Sequence, residues 1–198
     1  MNEKMSEIIK LSEPNKSGSM SLEKAITVRR SRRQFLPKPL TLEQISQLAW
    51  AAQGQDAGSR YRTTPSAGAT YPLELFVIND KGLFHYLHDK HSLEKLTDRD
   101  LRTPLTSAAW GQKFIQAAPL TLVFAAQFTR TTGHYGKRGV RYVYMEAGHA
   151  AQNVHLQAES LGLGSVAVGA FDDAAVSTVL SLPDILEPIY MVTVGYCR

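Results

Sequence analysis

The chain has 198 residues, a formal charge of +4 and one cysteine, Cys197. That length suits one domain with an arm and is enough to bury a core unaided, while a lone cysteine excludes an internal disulfide framework and points to a reducing, cytoplasmic setting. No stretch is apolar for long enough to cross a bilayer, and the modest basic excess suits an anionic ligand as well as nucleic acid.

Residues 1–20 interleave Glu3, Lys4, Glu7, Lys10 and Glu13 with polar residues, so a flexible N-terminal segment is expected, neither signal peptide nor anchor. Residues 21–198 are expected to form a single domain. Ser21 can cap a short helix from Leu22, with Leu22, Ala25 and Ile26 on one face. It runs into Arg29-Arg30-Ser31-Arg32-Arg33. Cations near a helix end complement its dipole, which accounts for the first two arginines. For the rest, three readings stand open: a phosphate clamp, a solvated basic face or a nucleic-acid contact. No recognised nucleic-acid motif accompanies them, so a nucleic-acid partner is not expected.

Pro37 and Pro39 break the chain, and Thr41 with Gln44 makes a capping-box start for a helix over Leu42 to Gln53. The loop Thr64-Pro65-Ser66-Ala67-Gly68-Ala69-Thr70-Tyr71-Pro72 then feeds a strand, Leu73 to Asn79. Its small side chains leave the backbone open, so it is either a tight turn or a seat for a flat ligand. Asn79-Asp80-Lys81-Gly82 turns into a second strand, Leu83 to His88. His85, His88 and His91 read as exposed hairpin histidines rather than a metal set, since His85 and His88 point to opposite faces.

Leu93 to Ala118 reads as largely helical, interrupted near Thr103-Pro104 and at Trp110-Gly111-Gln112. Leu120 to Ala126 is a continuous apolar run, the pattern of a strand covered on both faces. Gln127 to Gly139 reads as a lid loop carrying His134, Tyr135, Lys137 and Arg138. The longest helix, Val140 to Leu161, has a stripe of small residues that permits close packing, in the domain centre or against a second subunit. Glu146, His149 and Asn153 on its other face read as a satisfied buried polar stripe; Glu146-x-x-His149 lacks the second copy that a di-iron site needs. A strand at Ser165 to Val168, a helix to Leu180 and a strand at Ile189 to Val194 complete the chain. The fold class is α+β, a mixed central sheet with helices on both sides in α/β/α layers.

Taken together, the arginine cluster, Pro65-Ser66-Ala67-Gly68-Ala69 before a strand, and Glu146-Ala147-Gly148-His149-Ala150-Ala151-Gln152-Asn153 leading to Leu161-Gly162-Leu163-Gly164-Ser165 resemble the nitroreductase family of FMN flavoproteins. Pro-Ser-Ala-Gly-Ala-x-Tyr-Pro-Leu-Glu and Glu-Ala-Gly-His-x-Ala-Gln-Asn are most similar to its SagB-type branch, which includes dehydrogenases that oxidise azolines to azoles. The resemblance implies a nitroreductase-like fold and a homodimer with FMN at the interface, serving a small-molecule substrate. Arg29, Ser31 and Arg33 would hold the phosphate and ribityl chain, with Arg30 reaching the pyrimidine edge. Pro65, Ser66, Ala67 and Gly68 of the other subunit would border the ring, Gln112 would pair with its pyrimidine amide, and Val168, Gly169 and Ala170 would pass beneath it. Arg198 would supply the basic residue that family members place after the last strand. The implied reaction is NAD(P)H-dependent reduction of nitroaromatics or quinones; the alternative is azoline oxidation with O2 as final acceptor, for which Tyr135 and Lys137 are the candidate proton-transfer residues.

Overall fold

A computed structural model describes residues 7–55 and 58–197. Seven strands form one sheet: β1 (Ile8–Lys10), β2 (Leu73–Asn79), β3 (Gly82–Leu87), β4 (Ser92–Thr97), β5 (Leu120–Ala126), β6 (Gly164–Val168) and β7 (Glu187–Gly195), in spatial order β1-β4-β3-β2-β5-β7-β6. Among the described residues seven α-helices accompany it: α1 (Leu22–Val28), α2 (Leu42–Gln53), α3 (Arg102–Ala108), α4 (Phe114–Ala117), α5 (Phe128–Tyr135), α6 (Gly139–Ser160) and α7 (Asp173–Leu180).

The layered α+β architecture stands, but the sheet is antiparallel in every strand pair rather than mixed. The crossover through α5 and α6 does return β6 in the same direction as β5. The last strand then inserts between them and pairs antiparallel with both.

Period-2 alternation divides the core. Leu120, Leu122 and Phe124 of β5 join Leu73, Leu75 and Val77 of β2 beneath Leu48 of α2 and Val143, Ala147 and Val154 of α6. Val123 and Ala125, with Phe76 and Ile78, face Leu105, Ile115 and Val176 on the opposite side. The small stripe of α6 is what lets that helix lie close against α2 and the sheet; Ala147, Ala150, Ala151 and Ala158 are all buried.

Helix α2 starts with the expected capping box, Thr41 accepting from the Gln44 amide and Gln44 from the Thr41 amide. Other expectations need correction. The start of the chain is not loose throughout: β1 pairs with β4, and Asn15 exchanges two hydrogen bonds with Gln47 of α2. A strand, β4, occupies what reads as the beginning of a helical stretch, because His91 at φ 42° closes a hairpin back onto β3. The expected lid loop is mostly α5, packed on α6.

Nor are the three histidines exposed. His85 bonds Glu74 (2.9 Å), His88 bonds Gln55 (2.9 Å) and His91 meets Ser46, Tyr86 and Ser12, so each has a separate structural partner. Among the described residues no helix is long and apolar enough to cross a membrane.

Candidate functional site

The loop from Pro65 to Tyr71 is held in an unusual shape. A single 3-10 turn, Ala67–Ala69, contains Gly68 at φ 60°, and Ala69 (φ 54°) and Tyr71 (φ 44°) follow in the left-handed region that non-glycine residues avoid. Such strain persists only where surroundings impose it. Here they do: Thr70 Oγ1 meets Thr131 Oγ1 at 2.8 Å, the Tyr71 amide donates to Ser66 Oγ (2.9 Å), and Arg130 Nη1 donates to the Tyr71 carbonyl (3.0 Å). Tyr135 of α5 lies against Gly68, where an added Cβ would come within 2.8 Å of its hydroxyl oxygen. The loop borders a cavity of about 520 Å3 lined also by Arg60, Tyr61, Arg62 and Thr63.

Glu74, one turn of chain further on, anchors this arrangement. Its carboxylate takes Arg130 Nη1 at 2.7 Å and His85 Nε2 at 2.9 Å. Burial works to raise its pKa, but the His85 and Arg130 bonds outweigh it and bring the group down to about 2. A carboxylate depressed below its unfolded value of 4.5 contributes stability above that pH and loses it as pH falls toward 2. Glu74→Gln is therefore expected to cost about 3 kcal/mol at neutral pH and to flatten the acid limb of the stability curve, measured by urea unfolding from about pH 7 to about pH 2. An unchanged acid limb would contradict this assignment.

The arginine cluster sits elsewhere along α6. Helix α1 ends at Val28, and Arg29, its C-cap at φ −54° and ψ 124°, turns the chain outward. Ser31 forms a bridge with Ser165 of β6, and the Arg32 amide donates to the Ser165 carbonyl (3.0 Å). Arg30 Nη1 donates to the carbonyls of Thr27 and Arg29, so it caps the helix end. Arg32 approaches Glu159 at 3.8 Å. Arg29 and Arg33, by contrast, have no carboxylate within ion-pair distance among the described residues, and Arg33 lies over the Phe114 ring at 5.7 Å. Behind them His155 Nδ1 meets Ser165 Oγ at 2.7 Å; burial and the nearby Arg29 charge lower its pKa to about 4, so it is neutral at physiological pH.

Gln112 connects to the far end of β6. Its Nε2 donates to the carbonyls of Ala109 (2.9 Å) and Ala170 (2.8 Å), so both amide hydrogens are used while its carbonyl oxygen has no hydrogen bond among the described residues. Val168 is buried, whereas Gly169 and Ala170 are exposed. Beside them Trp110 stands in the left-handed region at φ 55°, largely in solvent.

Ser31 and Arg33 therefore share one ledge with Gln112 and Val168, Gly169 and Ala170, while Pro65, Ser66, Ala67 and Gly68 share the other region with Tyr135. Within one chain the two are separate: Glu146, close to Ser66, and His155, beside Ser165, are nine residues apart on α6, roughly 14 Å. Lys137 is exposed in the turn after α5, with no ion pair or hydrogen bond of its side chain among the described residues, and Arg198 lies outside the described residues.

The polar stripe of α6 also differs from expectation. Asn153 is satisfied, bonding Ala51, Thr63 and Thr64, but His149 is exposed and Glu146 is buried with Oε1 unpartnered. Arg62, in sequence one of several scattered basic residues, packs on Tyr71 and donates to Gln53 and Leu73, contacts that no local pattern reveals.

Among curated proteins, the chain is 43% identical over 182 residues to a candidate nitroreductase of Methanocaldococcus jannaschii, covering 89% of this chain and 91% of that one. It is 28% identical over 153 residues to the Microcin B17-processing protein McbC of Escherichia coli, covering 72% of this chain and only 56% of that relative. The crystal structure of a candidate nitroreductase from Ralstonia eutropha superposes with a TM-score of 0.86 at 34% identity, over 96% of this chain and 90% of the other. The Nitroreductase family model matches residues 26–196, and the chain is an oxidoreductase of the nitroreductase family.

Proposed function

We propose that this chain is an FMN-dependent oxidoreductase acting as a homodimer, each site joining the arginine ledge of one protomer to the Pro65–Gly68 loop of its partner. The observation that carries this reading is the donor set of Arg29, Ser31 and Arg33. Two guanidiniums without carboxylates and an exposed hydroxyl suit a phosphate monoester and a polyol chain. The unbonded side-chain carbonyl of Gln112 suits a ring N–H, and exposed Gly169 and Ala170 leave room for a flat ring system. These residues fit FMN.

When bound, FMN supplies two-electron transfer between a nicotinamide donor and an acceptor such as a nitroaromatic: NAD(P)H, a proton and R–NO2 give NAD(P)+, R–NO and water. The protein's part is to hold, orient and shield. Arg29 and Arg33 fix the phosphate end, Ser31 and neutral His155 keep the ledge in register with β6, and the Ser66 loop closes the other side. The setting is proposed to be cytoplasmic.

A second reading, azoline oxidation with O2 reduced to hydrogen peroxide, draws support from the similarity to McbC and from Tyr135, whose hydroxyl is placed against the loop. In it Tyr135 accepts the substrate proton.

Anaerobic titration of the FMN-loaded protein with NADH and NADPH tests the reading. Bleaching of the yellow absorbance within seconds by either donor is expected. Inertness to both would overturn the reductase proposal and favour direct substrate oxidation.

A further inference from the structure

The cavity beside the Ser66 loop is lined by two guanidiniums, Arg60 and Arg62, and by no carboxylate. Arg62 is half-buried and held from one side: its Nη1 donates to Gln53 Oε1 (2.8 Å) and to the Leu73 carbonyl (2.9 Å), while Nε and Nη2 have no hydrogen bond among the described residues. No carboxylate among those residues lies within ion-pair distance of it. Burial lowers its pKa, and Glu74 and Glu146 oppose that only from further off. A guanidinium cannot shed its proton to escape such a position, and a charge drawn out of water without a counter-ion is costly.

Other donors line the same space. Arg60 lies over the Tyr61 ring at 5.0 Å and donates from Nη2 to the Tyr61 hydroxyl (2.9 Å), which restrains it at the cavity rim although both residues are exposed. The Tyr71 hydroxyl accepts the Arg62 amide (3.1 Å), and its own proton has no acceptor among the described residues. The Ser66 and Gly68 amides likewise donate to nothing there. Guanidinium forks meet carboxylate and phosphate oxygens in matching geometry, and unpaired amides of a turn with positive φ add partial positive charge. A solvated basic rim would account for Arg60 alone; it leaves half-buried Arg62 without a counter-charge.

We infer that this cavity is an oxyanion subsite for the substrate, in which Arg60, Arg62 and the Tyr71 hydroxyl seat a carboxylate or phosphate. The subsite stands without a flavin, but its part in turnover rests on the FMN reading, because Pro65, Ser66 and Gly68 border both this cavity and, in that reading, the flavin of the other protomer's ledge. The volume of about 520 Å3 falls within the range of small-molecule sites, about 300–1,000 Å3. One chemistry has two sources here: a carboxylate on the acceptor, or the 2′-phosphate that distinguishes NADPH from NADH.

Calorimetric titration with 4-nitrobenzoate and with its uncharged isostere 4-nitrobenzamide, on protein with and without FMN, tests the subsite. Nitrobenzoate should bind roughly tenfold tighter or more, the worth of one charge-assisted hydrogen bond. Arg60→Gln and Arg62→Gln should each erase most of that preference and leave nitrobenzamide binding as it was. Arg60 is exposed, so Arg60→Gln decides the matter if circular dichroism shows Arg62→Gln unfolded. Equal binding of the two ligands to the wild type, or a preference that survives in Arg60→Gln, would overturn the subsite.

Steady-state kcat/KM then assigns the source, each value taken as the ratio of wild type to Arg60→Gln so that the intrinsic reactivity of each substrate cancels. The ratio should rise for nitrobenzoate and not nitrobenzamide if the acceptor carries the anion, or for NADPH and not NADH if the donor does. The same ratio for all four would overturn the role in turnover. Absence of flavin-dependent turnover in wild type would refute the FMN reading, and the titrations would then decide the subsite alone.

Discussion

Replacing Arg29 and Arg33 together by alanine is expected to weaken FMN binding by roughly a hundredfold to ten-thousandfold, read by quenching of flavin fluorescence on titration. In the proposed site each guanidinium would meet the phosphate with no carboxylate to compete for it among the described residues, and a charge-assisted hydrogen bond contributes about 1.5–3 kcal/mol. Two such losses add to the stated range. Arg30→Ala supplies the contrast. Its guanidinium caps the end of α1, so the variant should lose about 1 kcal/mol of stability and only a few-fold in FMN affinity. Equal losses from both changes would mean that the cluster acts as a diffuse basic face.

The second large effect is expected at Gly68. Gly68→Val puts a β-branched residue at φ 60° and drives a Cβ to 2.8 Å from the Tyr135 hydroxyl oxygen. The left-handed conformation alone costs about 1–2 kcal/mol for a residue with a Cβ, and the displaced ring adds to it. FMN affinity should fall about a hundredfold while the sheet, none of whose strands includes Gly68, stays folded. Far-ultraviolet circular dichroism checks the second half of that statement. Unchanged affinity would mean that the loop's strained shape serves no ligand.

The parts of this molecule that could be read from its sequence are those whose causes are local. Helix α2 is announced by Thr41 and Gln44 and by apolar residues at helical spacing, and β5 by an unbroken apolar run that the two cores share residue by residue. The arginine cluster and the small-residue loop were visible for the same reason, being contiguous in the chain. What escaped depends on distant partners. Nothing between Leu182 and Tyr196 signals that β7 will separate β5 from β6, since strand order is settled by packing of α6 and α7 on opposite faces. Three-residue β1 is too short to show a pattern and exists because β4 presents an open edge. Helix α5 carries three threonines and a glycine, weak helix formers, in its eight residues and is held by its contacts with α6. Glu146 reads as one more polar residue on a long helix; its distinction, burial with one carboxyl oxygen unpartnered among the described residues, comes from packing of segments distant in the chain.

The dimeric site is the central claim, and mixing two defective proteins tests it most directly. Arg29→Ala/Arg33→Ala and Gly68→Val, each unable to hold FMN tightly, are co-expressed in equal amounts and tight flavin is counted per protomer. If each site takes its arginines from one chain and its loop from the other, mixed dimers regain one intact site, so about a quarter of all sites should fill. If both segments serve a site within their own chain, every site in the mixture carries a defect, and an absence of recovered flavin would contradict the account.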